Sequence, residues 1–461
     1  MNNIKNNKIE LKESISLVIG NMIGAGIFML PTSLAVYGSI SIFGWFISGI
    51  MALVIAIIFR RLSLRYPGKS GPFHYTKESF GEFIGFFVIW GYWISILLVN
   101  ASLAVAITSY STVFFTNLND TTISIKFLHF IISIPISIPF SIFVVVIIAV
   151  VNNYGIKNVG KFQYITSILK VMPLLITIIV GFFVFNTDNF FPLNISGETN
   201  FEAITVTTAL TFFAFLGIES ATIPADGIKN PEKTIPKATI IGTTITLIIY
   251  ILSTIALMGI MHPSEIANSS APYADATGMI LGDYGKNIIA IFAIISGIGC
   301  LNGWMLLQIE IPKNLAKNKL LGTIFSDTNS REVPYKGLII STILVSILIL
   351  INYSKDLSNI FTYLILTSTF CTLILYFFIS LSEIFILYKQ RKSLKKFKSS
   401  LITGIPAFIF TVWMIVGVGK ESPFFLSSDN GPWLNFGNPI ILGIILLSFS
   451  IPIYIYQKKY A

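Results

Sequence analysis

Residues 19–31 read IGNMIGAGIFMLP, with Gly20, Gly24 and Gly26 set inside the first long apolar stretch of the chain. A regular helix in lipid satisfies its own backbone groups and gains nothing from glycine. A helix that unwinds at mid-depth does gain. The N–H groups freed on one half can take an anion, and the C=O groups freed on the other can take a cation or an ammonium. A zwitterion with both charges on one carbon would suit such a break. The competing reading is close helix packing, which the Gly20-xxx-Gly24 spacing also permits. Two ionisable side chains lie deep in other apolar stretches. Glu219 sits in FFAFLGIESATIPADGIKNPEKTIPKA, just after Gly217 and ahead of Pro224 and Pro231. It lies about 7 residues, or ~10 Å, from the end of its stretch. Charges at such depth are rare and usually face a cavity or a partner. Glu219 therefore reads either as part of a second broken helix or as a carboxylate reaching for Lys229. Lys170, in SILKVMPLL, stands ~13 Å along its helix from Lys161. It is either a buried functional ammonium or a lysine that snorkels to the interface.

The elements that must position these groups are membrane helices. The chain has 461 residues, 54% hydrophobic and only 11% charged, with mean hydropathy +0.80. Apolar runs of about 20 residues recur, each long enough to cross a hydrocarbon layer of ~30 Å. Twelve segments are expected, near 14–37, 40–60, 82–115, 127–152, 160–186, 201–225, 237–261, 285–311, 335–353, 357–388, 400–419 and 435–457. Counted by side, 26 of the 31 Lys and Arg fall with the termini and the even-to-odd loops. Four fall on the other side (Lys126, Lys286, Lys355, Lys420), and Lys170 is within a segment. The positive-inside rule then places both termini in the cytoplasm, with residues 1–13 as a cytoplasmic tail. The net charge of +10 is thereby a topology signal, and a nucleic-acid partner is not implied. No cleavable signal peptide is expected. Cys300 and Cys371 lie in apolar segments and suggest neither a disulfide framework nor a zinc site. The Gly- and Pro-rich loop between segments 2 and 3 (RRLSLRYPGKSGPFHYTKESFGE) could be an interfacial gate element, although its pattern favours a plain connector. No phosphate-binding loop, dinucleotide fingerprint or metal-ligand cluster is visible, so no cofactor is expected and any driving force must come from a gradient or from exchange.

Segments 1 and 6 stand five spans apart, and an odd number of spans inverts orientation. Residues 14–186 and 201–388 would then be two repeats of opposite topology, each opening with an interrupted helix. That is the pattern that points to a transporter's substrate site. Segments 11 and 12 (400–457) fall outside as accessory helices. The expected fold is an all-α polytopic membrane protein of twelve transmembrane helices, a five-plus-five inverted repeat with broken helices 1 and 6.

On the motifs GNMIGAGIFMLP, NNYGIKNVGKFQ and FLGIESATIPADGIKNPEKTIPKA, residues 11–390 resemble the amino acid–polyamine–organocation superfamily. Within it the chain is similar to bacterial basic amino acid/polyamine antiporters such as the arginine/agmatine antiporter. The resemblance implies alternating access without a cofactor, an amino acid or polyamine substrate, and a possible homodimer in the bilayer. It implies a carboxylate site at Gly24, Ala25 and Gly26, with Met22 and Ile27 nearby. It also implies a polar position at Asn100, a gating aromatic at Phe213 and a substrate-stacking indole at Trp304. The face of an indole suits a guanidinium or ammonium; ordinary bundle packing is the other reading of Trp304. Gate or coupling roles fall on Tyr92, Gly217, Glu219 and Tyr376. Two departures stand out. An Asp-Gly turn usual after helix 8 is Asn318-Lys319 here, and Lys170 replaces a small neutral residue. Proton-coupled members of the superfamily carry a lysine at that place. Protonated, Lys170 could bridge carbonyls of broken helix 1 to helix 8; deprotonated, it would release them.

The expected function is secondary-active amino acid transport across the inner membrane, proton-coupled uptake first and basic amino acid/amine antiport as the alternative. A channel would need a ring of like polar groups, and none is seen. A membrane-embedded enzyme would need Asp pairs, Ser–His or HExxH at depth, and none is seen either. A receptor that binds without flux remains the third class.

Overall fold

In a computed structural model of the chain, the structure describes residues 10–66, 71–127, 130–154, 159–219, 228–352, 356–389, 394–420, 425–426, 433–434 and 437–460. The first span is two helices, α1 (Leu11–Met22) and α2 (Ala25–Ala35). There follow α3 (Ser41–Arg65), α4 (Gly71–Phe80), α5 (Glu82–Ser111), the single turn α6 (Asn117–Asp120), α7 (Ser137–Asn153) and α8 (Val159–Phe183). The second half comprises α9 (Asn200–Phe213), α10 (Pro231–Ile260), the short α11 (Pro263–Ala267), α12 (Pro272–Lys317), α13 (Tyr335–Leu350) and α14 (Leu357–Lys389). The chain closes with α15 (Leu394–Lys420), α16 (Pro439–Ser448) and α17 (Ser450–Tyr460). Among the described residues, 7 helices are long and apolar enough to cross a membrane, or 8 with the bent α1–α2 pair, whose halves meet at 40°. This is a multi-pass membrane protein. Lipid-facing positions stay apolar: Ile179, Phe182, Ile343, Ile402 and Ile409 are all more than half exposed.

Four local expectations change. Segment 4 does not begin at 127. The run TISIKF…FIISIP alternates Ile with Ser and polar residues at a period of two, which fits a strand and not a helix. It forms an antiparallel hairpin, β1 (Thr122–Phe127) and β2 (Phe130–Pro135), with Thr122 opposite Pro135 and Ser124 opposite Ser133. Helix α7 starts only at Ser137. Segment 8 starts just after Gly282, near the expected 285, but a further helical stretch from Pro272 precedes it, and the two are set apart by Gly282, whose φ of 64° only glycine adopts readily. The loop between segments 2 and 3 carries a helix, α4, packed against α5 and α14, so it is more than a connector. Segment 6 stops being helical at Phe213, well before Gly217. Pro224 and residues 155–158 of the NNYGIKNVGKFQ motif, Lys157 among them, lie outside the described residues.

The packing is mutual across the two halves. Helix α1 lies against α10 and α9 against α3; α5 lies against α14 and α12 against α8; α5 and α12 meet each other, as do α7 and α13. The site sits where α1, α2, α5, α9 and α12 converge.

Candidate functional site

Helix α1 ends at Met22. Ile23 is extended (φ −82°, ψ 106°) and so is Gly24 (φ −143°, ψ −170°), and α2 starts at Ala25. Two residues of extended chain leave two helix ends facing one another. The first N–H groups of α2 have no intrahelical acceptor, and the dipole makes that end positive. The carbonyl end of α1 is already engaged. Lys170 donates to Gly20 O (2.7 Å), Trp304 Nε1 to Asn21 O (3.0 Å) and Tyr250 OH to Met22 O (2.7 Å). Cys300 Sγ also approaches Asn21 O at 3.6 Å. A carbonyl has two lone pairs, so Gly20 O and Met22 O retain some acceptor capacity, while Asn21 O already faces two donors.

Glycine at 24 is a steric requirement. A Cβ there would lie 2.4 Å from Cys300 Sγ and 2.6 Å from Cys300 Cβ. At Gly26 a Cβ would lie 3.0 Å from Phe213 Cε1, so the Phe213 ring lies directly over the start of α2. Between these groups is a small void of about 20 Å³, room for about one water, lined by Asn21, Met22, Gly24, Gly26, Ile27 and Phe213 together with Val99, Leu103, Ala214, Leu216, Cys300 and Trp304. Above Phe213, Phe361 of α14 meets it edge-on at 6.2 Å, and Ser33 Oγ of α2 bonds Thr362 Oγ1 of α14 at 2.7 Å.

The second break runs from Ala214. The amides of Ala214, Phe215 and Leu216 turn back to Thr211, Phe212 and Phe213, and Gly217 reaches φ 104°. Its open Cα face lies against Asn21 and Trp304: an added Cβ would be 3.3 Å from Asn21 Cβ and from Trp304 Cζ2. The turn delivers Glu219 to two tyrosines. Tyr376 OH donates to Oε2 at 2.7 Å and Tyr92 OH donates to Oε1. All three are fully buried. Lys229 pairs with Glu10 instead (2.7 Å), so Glu219 is not drawn to the surface lysine. Lys170 is also fully buried and does not snorkel. Its bond to Gly20 joins α8 to α1 at the break, and among the described residues it makes no hydrogen bond to α12 of the kind that a bridge would need.

The structure therefore brings Met22, Gly24, Gly26, Ile27, Phe213 and Trp304 together around one void; the Ala25 side chain lies outside what is described. Asn100 is not among the lining residues. Its Nδ2 bonds Gln308 Oε1 at 2.5 Å, next to the void but turned to α12. Tyr92, Glu219 and Tyr376 form a separate buried cluster. Asn21 escaped the sequence reading. Its Oδ1 is buried without a hydrogen-bond partner among the described residues, and it lines the void. An amide inside an otherwise apolar glycine-rich run was the signal. Gln308, deep in α12, was missed for the same reason.

This arrangement offers an anion the N-terminus of α2 and a donor the Asn21 Oδ1 atom, beside an indole. The putrescine transporter PotE of Haemophilus influenzae is 28% identical over 91% of this chain and 94% of its own length. The cadaverine/lysine antiporter of Escherichia coli is 31% identical over 75% of this chain and 74% of its own. The putrescine transporter PotE of Escherichia coli is 29% identical over 92% and 94%. Residues 9–449 match the amino acid permease family, and the chain belongs to that family.

Proposed function

We propose that the chain is an inner-membrane antiporter that exchanges a basic amino acid for an amine by alternating access. The observation that carries this reading is the α1–α2 break, whose N–H end opens on a void closed by Phe213 and flanked by Trp304. The substrate carboxylate meets the N–H groups of Ala25 and Gly26. The α-ammonium meets Asn21 Oδ1 and the remaining lone pairs of the α1 carbonyls. The side chain lies along Trp304, whose indole face attracts a cation. Phe213 gates this site. Glu219, held by Tyr92 and Tyr376, keeps the second break in register with α5 and α14. Asn100, with Gln308, backs the site. The named relatives, which exchange lysine with cadaverine or carry putrescine, favour exchange over uptake.

The architecture we infer is a twelve-span, five-plus-five inverted repeat (14–186 and 201–388) with two accessory spans at 400–457 and both termini cytoplasmic. The pairing of α1 with α10 and α9 with α3, and of α5 with α14 and α12 with α8, supports it, because an inverted repeat maps each of these pairs on the other. The second reading, proton-coupled uptake, rests on Lys170: a buried ammonium on the Gly20 carbonyl is a group whose loss of charge would loosen the break.

Flux in proteoliposomes separates the two. Vesicles loaded with unlabelled lysine, ornithine or putrescine should take up labelled lysine, and unloaded vesicles with an inward proton gradient should not. Uptake into unloaded, proton-driven vesicles alone would replace antiport by symport. No flux in either, from folded protein, would sink the transport reading for this substrate class.

A further inference from the structure

At the basic end of the molecule, helices α3 and α10 pack side by side and leave a groove between them. Its volume is about 380 Å³. Its walls are of two kinds. Arg60 of α3 and Lys233 and Lys237 of α10 supply three exposed cations, against the single carboxylate of Glu232. Leu64, Ile240 and Ile241 supply an apolar floor, of which Leu64 is 45% and Ile241 39% exposed. None of the three cations has a side-chain ion pair among the described residues, whereas neighbouring Lys229 is taken by Glu10. Beyond the groove the same face of α10 continues as Ile241, Ile245, Ile248 and Leu252, spaced three to four residues apart and all exposed. Helical periodicity places these four in one stripe below Lys237.

We propose that this groove binds an anionic phospholipid, its phosphate between Arg60, Lys233 and Lys237 and an acyl chain along the isoleucine stripe of α10. The charge balance selects the occupant. A net positive pocket that opens at one end to headgroups and at the other to an exposed aliphatic strip matches a phosphate with a hydrocarbon tail. A zwitterionic headgroup brings its own cation and gains little. Helix α10 packs on α1, and α3 packs on α9. A lipid that bridges α3 and α10 thus joins the two helices that support both breaks, and its occupancy would tune the turnover of the exchanger.

The test is native mass spectrometry of the delipidated full chain titrated with phosphatidylglycerol or phosphatidylcholine. Wild type should hold phosphatidylglycerol more tightly. Arg60→Gln/Lys233→Gln/Lys237→Gln should weaken it by at least about ten-fold and leave phosphatidylcholine unchanged, since each cation near an anionic lipid contributes roughly five-fold. Lys317→Gln/Lys319→Gln/Lys398→Gln, which removes three charges elsewhere at the same end, should stay within about two-fold of wild type on the same scale. Glu232→Gln should tighten binding, and it serves should the triple variant fail to fold. Equal phosphatidylglycerol binding by wild type and the groove variant, or no change in Glu232→Gln, overturns the proposal. So does displacement of the lipid by millimolar inorganic phosphate but not by chloride at the same ionic strength, which would make this a free-anion site.

Discussion

A carboxylate buried between two phenols is the least forgiving feature at the scale of single residues. Glu219 accepts from Tyr92 and Tyr376, which arrive from α5 and α14. Tyr376→Phe removes one donor and leaves one carboxylate oxygen less satisfied, at a cost of about 1 kcal/mol. Glu219→Ala strands two buried hydroxyls at roughly 1–3 kcal/mol each and frees the second break. Thermal unfolding in detergent should therefore rank wild type above Tyr376→Phe and Tyr376→Phe clearly above Glu219→Ala. Exchange flux should fall in the same order. Equal losses in the two variants would mean that the cluster does not act as a clamp. Trp304 permits a finer test. Its Nε1 holds Asn21 O, and its ring lines the void. Trp304→Phe keeps a ring but loses that bond and part of the attraction for a cation, which is worth about 0.5–2 kcal/mol. The KM for lysine should rise several-fold while a neutral amino acid, if carried, changes less. An equal rise for both would assign Trp304 to packing. At this scale residue type and depth alone marked the helix-1 glycines, Glu219 and Lys170, because a carboxylate or an ammonium in a long apolar run is conspicuous, whereas Phe213, Trp304, Asn100, Tyr92 and Tyr376 came from the family resemblance. Asn21 was not, because its role depends on which way the chain turns after Met22.

Between elements, the argument turns on one approach. Helix α12 comes close enough to the break for Cys300 to occupy the space above Gly24. Gly24→Ala would place a methyl group 2.4 Å from Cys300 Sγ, so α12 or α2 must shift. Exchange should fall by about ten-fold or more, the loss expected of an overpacked core at 1–3 kcal/mol. The Gly24→Ala/Cys300→Gly pair should recover part of it, and flux that stays at the single-variant level would show that contact with Cys300 is not the cause. A second expectation concerns the end of α12. Lys319 sits there at φ 59°, in the left-handed position that helices usually give to glycine. Lys319→Gly should raise the thermal midpoint, gaining about 1 kcal/mol from relief of that conformation. A lower midpoint would place the stability of the turn elsewhere. The elements themselves were readable where an apolar run was long enough to span the membrane, as in α3, α5 and α14. They were misread where a short apolar run could serve two periods. Ile-Ser alternation in 122–135 reads as membrane by hydropathy and as hairpin by period. The early end of α9 has no sequence mark at Ala214; the backbone leaves the helix three residues before Gly217 because Gly217 must arrive at positive φ beside Asn21 and Trp304.

For the whole molecule, charge movement decides between the two transport modes. If lysine enters, with one net positive charge, and cadaverine or putrescine leaves, with two, each turnover moves one positive charge outward. An inside-positive potential then drives uptake of labelled lysine into diamine-loaded vesicles and an inside-negative potential opposes it. One charge across 100 mV corresponds to about 2.3 kcal/mol, so the accumulation ratio should shift by roughly fifty-fold between 0 and 100 mV. Proton-coupled uptake carries positive charge inward, and its response to potential has the opposite sign. Lys170 adds the matching variant. It anchors α8 to the Gly20 carbonyl whatever the transport mode. In an exchanger, Lys170→Ala should slow lysine/diamine exchange but leave its dependence on potential intact, because substrate charge alone sets that dependence. In a symporter the same variant should abolish net uptake and leave lysine/lysine exchange running. Potential clamped with potassium and valinomycin, applied to wild type and Lys170→Ala, reads the sign directly. Acceleration of wild-type lysine uptake by an inside-negative potential would overturn the antiport assignment.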